Sequence, residues 1–200
     1  MEVTVKISPK ARRWRLSVNA EAEAVLTVPR GTAKSAIDAV LTRHADWIDR
    51  QRAKRQMRGE AARTLYAQNA GLHPFLGAWI ALEGGQEERF YRAEAKRFFE
   101  IECAKLAAEL GKRIERVSVR DQKTRWGSCS GRGTISFSWR ILKAPRFVAF
   151  YLAAHECAHL THKNHGAGFW ACVAQLCPDY EAAERWLKTN GDFLRFDPWR

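Results

Sequence analysis

Methionine is almost missing from this chain, with only Met1 and Met57 among 200 residues. Cysteine is sparse and poorly arranged for a scaffold: Cys103, Cys129, Cys157, Cys172 and Cys177 are odd in number and contain no CxxC pair. That excludes a disulfide framework and a zinc ribbon and fits reduced thiols. No apolar run reaches the length of a membrane span, and the opening MEVTVKISPKARRW alternates instead of offering the apolar core of a secretion signal. A cytoplasmic protein without a membrane partner is therefore expected. Acidic residues are the minority, 22 against 34 Lys and Arg, for a formal charge of +12. The excess is local: residues 1–60 hold thirteen basic against seven acidic residues, and residues 113–150 nine against two. Such a segment is either a solvated basic surface or a cationic cleft for nucleic acid or an acidic substrate.

The chain has ample means to fold. An apolar fraction of 46% and eight tryptophans suit a real core, and 200 residues suit one compact domain with a smaller lobe. Val3, Val5 and Ile7 alternate with polar residues, as do Trp14, Leu16 and Val18, and Val25–Val28 is a short apolar run before Pro29-Arg30-Gly31. These read as three short antiparallel strands. Ile37, Val40, Leu41, His44, Trp47 and Ile48 follow at helical spacing, with a basic tail through Arg58. His44 on that apolar face reads as a core histidine. Phe75–Leu82 reads as one strand, and Gly84-Gly85 as the boundary between a lobe 1–84 and a core 85–200.

From about Glu88 a helical stripe of Tyr91, Ala95, Phe99, Cys103, Leu106 and Leu110 runs to a stop at Gly111. Val117 and Val119 form a short strand. Ile135, Phe137, Trp139 and Ile141 alternate with polar residues after Gly131-Arg132-Gly133, as in a half-buried strand. If that strand is a sheet edge, Thr134–Arg140 is a rail on which an extended peptide pairs, with Ser136 and Ser138 beside it.

The chemistry is concentrated in FVAFYLAAHECAHLTHKNHGAGFW, residues 147–170. A run of apolar residues that must be buried abruptly carries His155, Glu156 and His159, and buried titratable groups need a partner or a metal. At i and i+4 the two imidazoles share a helix face and can meet one zinc ion. Glu156 then reaches the ion's water without being a ligand, as the general base of an HExxH hydrolase. The third ligand is read as His165, brought round by Asn164, Gly166 and Gly168, with Glu181 or Glu184 the competing choice. His162 at i+7 lies about 10 Å along a continuing helix, too far to share the ion. The HExxHxxxxxH spacing is also that of metzincins, but with no methionine downstream their Met-turn cannot form. Phe169 and Trp170 read as packing that fixes the His165 turn.

RWGSCS at 125–130, SWRIL at 138–142, Ala144-Pro145, HECAHL at 155–160, NHGAGFW at 164–170, and Pro178 followed by Trp186-Leu187 together resemble the YgjP-like metallopeptidases, relatives of the SprT group within the zincins. Coverage is good from about residue 88 to 190. The periodicity of residues 1–84 gives an N-terminal β-rich lobe with one long helix, and the resemblance implies an α+β fold whose zincin-like core packs a small antiparallel sheet on the HExxH helix. It implies a zinc-dependent peptidase holding one Zn(2+) per chain through His155, His159 and His165, with Glu156 as general base and a peptide or protein as substrate. Cys157 departs from the pattern, which has a larger aliphatic residue there, and the segment 82–90 is short of a strand or two. Arg125 and Trp126 are candidates for substrate contact, although a tight turn whose Trp packs beneath the zinc helix is the simpler reading of Trp126-Gly127-Ser128-Cys129. Cys129 as a fourth ligand would close the position hydrolysis needs. The alternative function is a zinc-stabilised nucleic-acid-binding protein, or a DNA-associated protease, using the basic segment 113–150 with Trp126 and Trp139 stacking on bases.

Overall fold

A computed structural model describes residues 2–19, 21–122 and 124–199. The chain divides into two compact units, 1–65 and 66–200. In the first, strands β1 (Val3–Ser8), β2 (Arg15–Val18) and β3 (Ala24–Pro29) form a sheet in the order β1-β3-β2. β2 is antiparallel to β3 as the alternation suggests, but β1 is parallel to it, with Val5 opposite Leu26. The purely antiparallel expectation therefore fails for β1, because the chain crosses over before β2 instead of making a hairpin. One face of the sheet carries buried Val18 and Ala24 against Ile48, with Leu41 and Trp47 alongside.

The expected single long helix is two. Helix α1 (Lys34–Arg43) ends at His44, whose φ of −108° and ψ of 14° leave the helical region, and α2 (Ala45–Gln68) restarts at once. His44 is half-buried, its ring 5.4 Å from that of the exposed Trp14, so it packs at the rim and not in the core expected for it.

In the second unit, the expected strand 75–82 is a hairpin of β4 (Leu72–Phe75) and β5 (Ala78–Ala81). Its two-residue turn has positive φ at both Leu76 (49°) and Gly77 (99°), the mirror-image turn that matches strand twist. Leucine tolerates this strained backbone here, with its N–H donating to Leu142 O at 2.8 Å. The hairpin is tied further to this unit by Tyr91 Oη donating to Pro74 O. These ties hold the hairpin within the second unit.

Helix α3 (Glu87–Glu109) buries the expected stripe of Tyr91, Ala95, Phe99, Cys103 and Leu106, and Gly111 follows it at φ 61°. Strands β6 (Arg116–Arg120), β7 (Gly127–Cys129) and β8 (Thr134–Ser138) form a second sheet in the order β6-β8-β7. It is mixed, not antiparallel: β6 runs parallel to β8 and β7 antiparallel. Phe137 of β8 stacks on Phe99 of α3 with ring centroids 3.7 Å apart.

The alternation of Trp139 and Ile141 does not continue the strand. Trp139–Lys143 is a 3-10 helix, wholly buried, because Arg140 and Lys143 turn inward to carboxylates. Arg140 reaches Asp121 at 2.7 Å and also pairs with Asp197, and Lys143 shares Asp197. Helices α4 (Arg146–Ala158), α5 (Ala167–Leu176) and α6 (Tyr180–Arg195) complete the unit. Pro145 is the residue before the first turn of α4, where its missing N–H costs nothing. Among the described residues, no helix is long and apolar enough to cross a membrane.

Candidate metal centre

Helix α4 carries its apolar face into the core, with Val148, Ala149, Leu152, Ala153 and Ala154 buried, and delivers His155 and Glu156 from its last turn. His159 is the residue at which the helix ends, still in helical conformation at φ −67° and ψ −13°, so the i, i+4 stacking is kept. Beyond it the chain curls up: His162 N donates to Ala158 O at 2.9 Å, and no continuing helix carries His162 away along an axis. The His162 carbonyl instead lies 2.9 Å from His159 Nδ1. A carbonyl can only accept, so Nδ1 bears the hydrogen and Nε2 presents a bare lone pair. Tyr151 Oη stands 3.3 Å from His155 Nδ1, and when that nitrogen donates, His155 Nε2 is bare as well.

The ring nitrogens converge. His155, His159 and His165 each offer a ligand atom within 4.8 Å of the others, the metal-capable group among the described residues. His155 Nε2 and His165 Nε2 are 3.2 Å apart. Two nitrogens each about 2.0–2.1 Å from one tetrahedral ion are separated by roughly 3.3 Å, so this pair already has a shared-ion spacing. Phe169 of α5 lies under all three rings, with centroids 4.6–4.9 Å away. Burial, with smaller contributions from the neighbouring His159 and His165, lowers the His155 pKa to about 4, and burial lowers that of His159. Neutral imidazole, the metal-binding form, is thus the resting form. The donor set fits zinc, a three-histidine group with a position left for solvent.

The glycines after His165 act by size rather than by handedness. Neither Gly166 nor Gly168 has positive φ. A Cβ on Gly168 would meet His162 Cε1 at 3.2 Å, and one on Gly166 would meet Asn164 Oδ1 at 3.3 Å. Glu181 and Glu184, the competing ligands, stand outside the group and pair instead with Arg185 and Lys188.

Glu156 is 4% exposed, and among the described residues its Oε2 has no hydrogen-bond partner. Burial raises its pKa to about 8, and the guanidinium of Arg125, itself exposed, pulls the other way. The sign of the stability effect follows. Between pH 6.5 and 8 the folded metal-free chain keeps a proton on Glu156 that the unfolded chain has released, so stability falls as pH rises, by about 1.4 kcal/mol per unit at most. Below 6.5 the neutral histidines oppose this trend, since unfolding there takes up protons. Chelator-stripped protein should lose denaturant stability from pH 6.5 to 8, and Glu156→Gln should flatten that slope; an equal slope in the variant would place the titration elsewhere.

The remaining expected site residues are distributed differently. β8 is the central strand, its backbone used on both sides, so Thr134–Arg140 is no free rail. Ser136 is buried with its hydroxyl 2.7 Å from that of Ser118, and Ser138 is wholly buried. The free edge beside the histidines is β7. Because Trp126 O accepts from Ser138 N and Ser130 N donates to Thr134 O, the alternation leaves the backbone groups of Gly127 and Cys129 facing away from β8. Trp126 packs against Gly191 of α6 and under Arg195, a structural placement. Cys129 stays outside the metal-capable group.

The base-stacking reading loses Trp139, which is fully buried, and the charges of Arg140 and Lys143, which are sequestered in ion pairs. Two further groups orient these rings, Tyr151 and the His162 carbonyl. The His162 carbonyl had no sequence signal, since any residue supplies one. Tyr151 did have one, standing four residues before His155 on the same face.

Among curated proteins none matches the chain. One solved structure that does, described as the crystal structure of the metallopeptidase zymogen of Pyrococcus abyssi abylysin, aligns at 25% identity and a TM-score of 0.41. It covers 45% of this chain and 92% of its own. The family model for the YgjP-like metallopeptidase domain matches residues 12–89 and 85–190. That match spans most of the sequence, and the chain belongs to the YgjP-like metallopeptidase family.

Proposed function

We propose that this metallopeptidase is a zinc enzyme in which His155, His159 and His165 hold one ion and Glu156 is the general base. The observation that carries the reading is the 3.2 Å spacing of His155 and His165 Nε2, with the third imidazole alongside and a buried carboxyl one residue from the first. A zinc ion held by these three imidazoles would supply Lewis acidity for a scissile carbonyl and for a nucleophilic water that gives up a proton near neutral pH. Glu156 takes that proton and returns it to the leaving amine; burial raises the carboxyl's affinity for a proton, and the charge of an ion held by the adjacent histidines would favour the ionised form that a base needs. The outward backbone groups of Gly127 and Cys129 pair with an extended peptide in place of the β8 rail. Arg125, exposed at the end of that edge, meets a substrate carbonyl or carboxylate. Five free cysteines fit a reducing, cytoplasmic setting.

The test is removal and return of the metal. Chelation should abolish hydrolysis of an unstructured protein such as casein, and one equivalent of zinc should restore it. Hydrolysis that survives complete chelation would defeat the proposal.

A further inference from the structure

Strand β7 meets the acidic side chain of α4 at Gly127. A Cβ built on Gly127 would stand 2.5 Å from Glu156 Oε1, 2.8 Å from its Cγ and 2.9 Å from its Cδ. No real Cβ tolerates such contacts, so one partner must move if a side chain appears there. The strand cannot give way. Gly127 pairs with Phe137, which is buried and stacked on Phe99, and the adjacent Trp126 is held by Ser138 N at 2.7 Å and by the Arg195 guanidinium over its ring. The helix is equally fixed, since Ala153, Ala154, Cys157 and Ala158 around Glu156 are fully buried. What remains free to move is the Glu156 side chain itself.

We infer that Gly127 is a positioning residue for peptide hydrolysis: its missing side chain is the seat of the Glu156 carboxyl, holding it at the histidine cluster. This rests on Glu156 being the base. Its structural consequence does not, because a methyl at 127 displaces the carboxyl whatever that carboxyl does. A shift of about 1 Å in a reacting group costs on the order of 100-fold in rate. The histidines take no part in the contact, so metal binding should be untouched.

The experiment compares wild type, Gly127→Ala, Glu156→Ala and the double variant, using the zinc-loaded full chain. Gly127→Ala should bind zinc with unchanged affinity and lower kcat about 100-fold with little change in KM, and its crystal structure should show the carboxyl swung off β7 with the three imidazoles in place. In the Glu156→Ala background the same substitution should cost nothing further, since the seat has no occupant. A Gly127→Ala enzyme with wild-type kcat would overturn the inference, as would an equal further loss in both backgrounds or a carboxyl that has not moved. Should Gly127→Ala fail to fold, recovery of folding in the double variant supports the contact and its absence refutes it. If the wild type itself cleaves no peptide, the proposed function fails, and the position of the carboxyl in the Gly127→Ala crystal still decides the inference.

Discussion

Glu156→Gln should retain zinc and lose hydrolysis, with kcat down about 100- to 10,000-fold and KM little changed. General-base catalysis is worth about that much, and glutamine matches the shape of glutamate while offering no site for a proton at neutral pH. Structure should survive the change. In the metal-free chain at neutral pH the carboxyl is held largely in its neutral form by burial, with a pKa of about 8, so an uncharged amide loses no buried charge there. Among the described residues Glu156 Oε2 has no hydrogen-bond partner for the variant to forfeit. The metal-free variant should therefore be at least as stable as wild type at pH 8, since it is spared the ionisation that weakens the parent there. Zinc content by metal analysis and turnover of a peptide substrate read the two halves separately. Equal turnover by wild type and variant would remove the proton-transfer role, and loss of zinc from the variant would make Glu156 a ligand instead.

The parts of this structure legible in the sequence are those governed by local periodicity. The stripe from Tyr91 to Leu106 and the one-turn spacing of His155 and His159 need only the helical repeat, and both appear as expected. The family pattern likewise rests on short local motifs, and the family match bears it out. What escaped depends on distant partners or on exceptions to local rules. Trp139 and Ile141 continue the alternation of β8, yet Asp121 and Asp197, far away in sequence, draw Arg140 and Lys143 inward and turn the segment into a 3-10 helix. Leu76 hides a hairpin turn because leucine seldom takes positive φ. The edge role passed from β8 to β7 because strand order is set by which strands meet, not by either sequence alone. His162 was dismissed by assuming that the helix runs on; since the helix stops at His159, its carbonyl returns to that ring.

His165→Ala should cut zinc affinity by more than about 100-fold while leaving the fold intact. Loss of an outer partner that merely orients a ligand costs about 10- to 100-fold, so removing a ligating nitrogen must cost more. His165 is exposed and sits between α4 and α5, outside both helices, so truncating it should change unfolding stability of the metal-free chain by no more than about 0.5 kcal/mol. The same substitution at His159 is less clean, because that ring bonds the His162 carbonyl and supports the turn that delivers His165. Glu184→Gln serves as the control, since the glutamate pairs with Lys188 at 3.3 Å and stands outside the histidine group. Competition with a chromophoric chelator measures all three proteins on one scale. Unchanged affinity in His165→Ala alongside a collapse in Glu184→Gln would transfer the third ligand from the loop to α6, and the 3.2 Å approach of His165 to His155 would then have another cause.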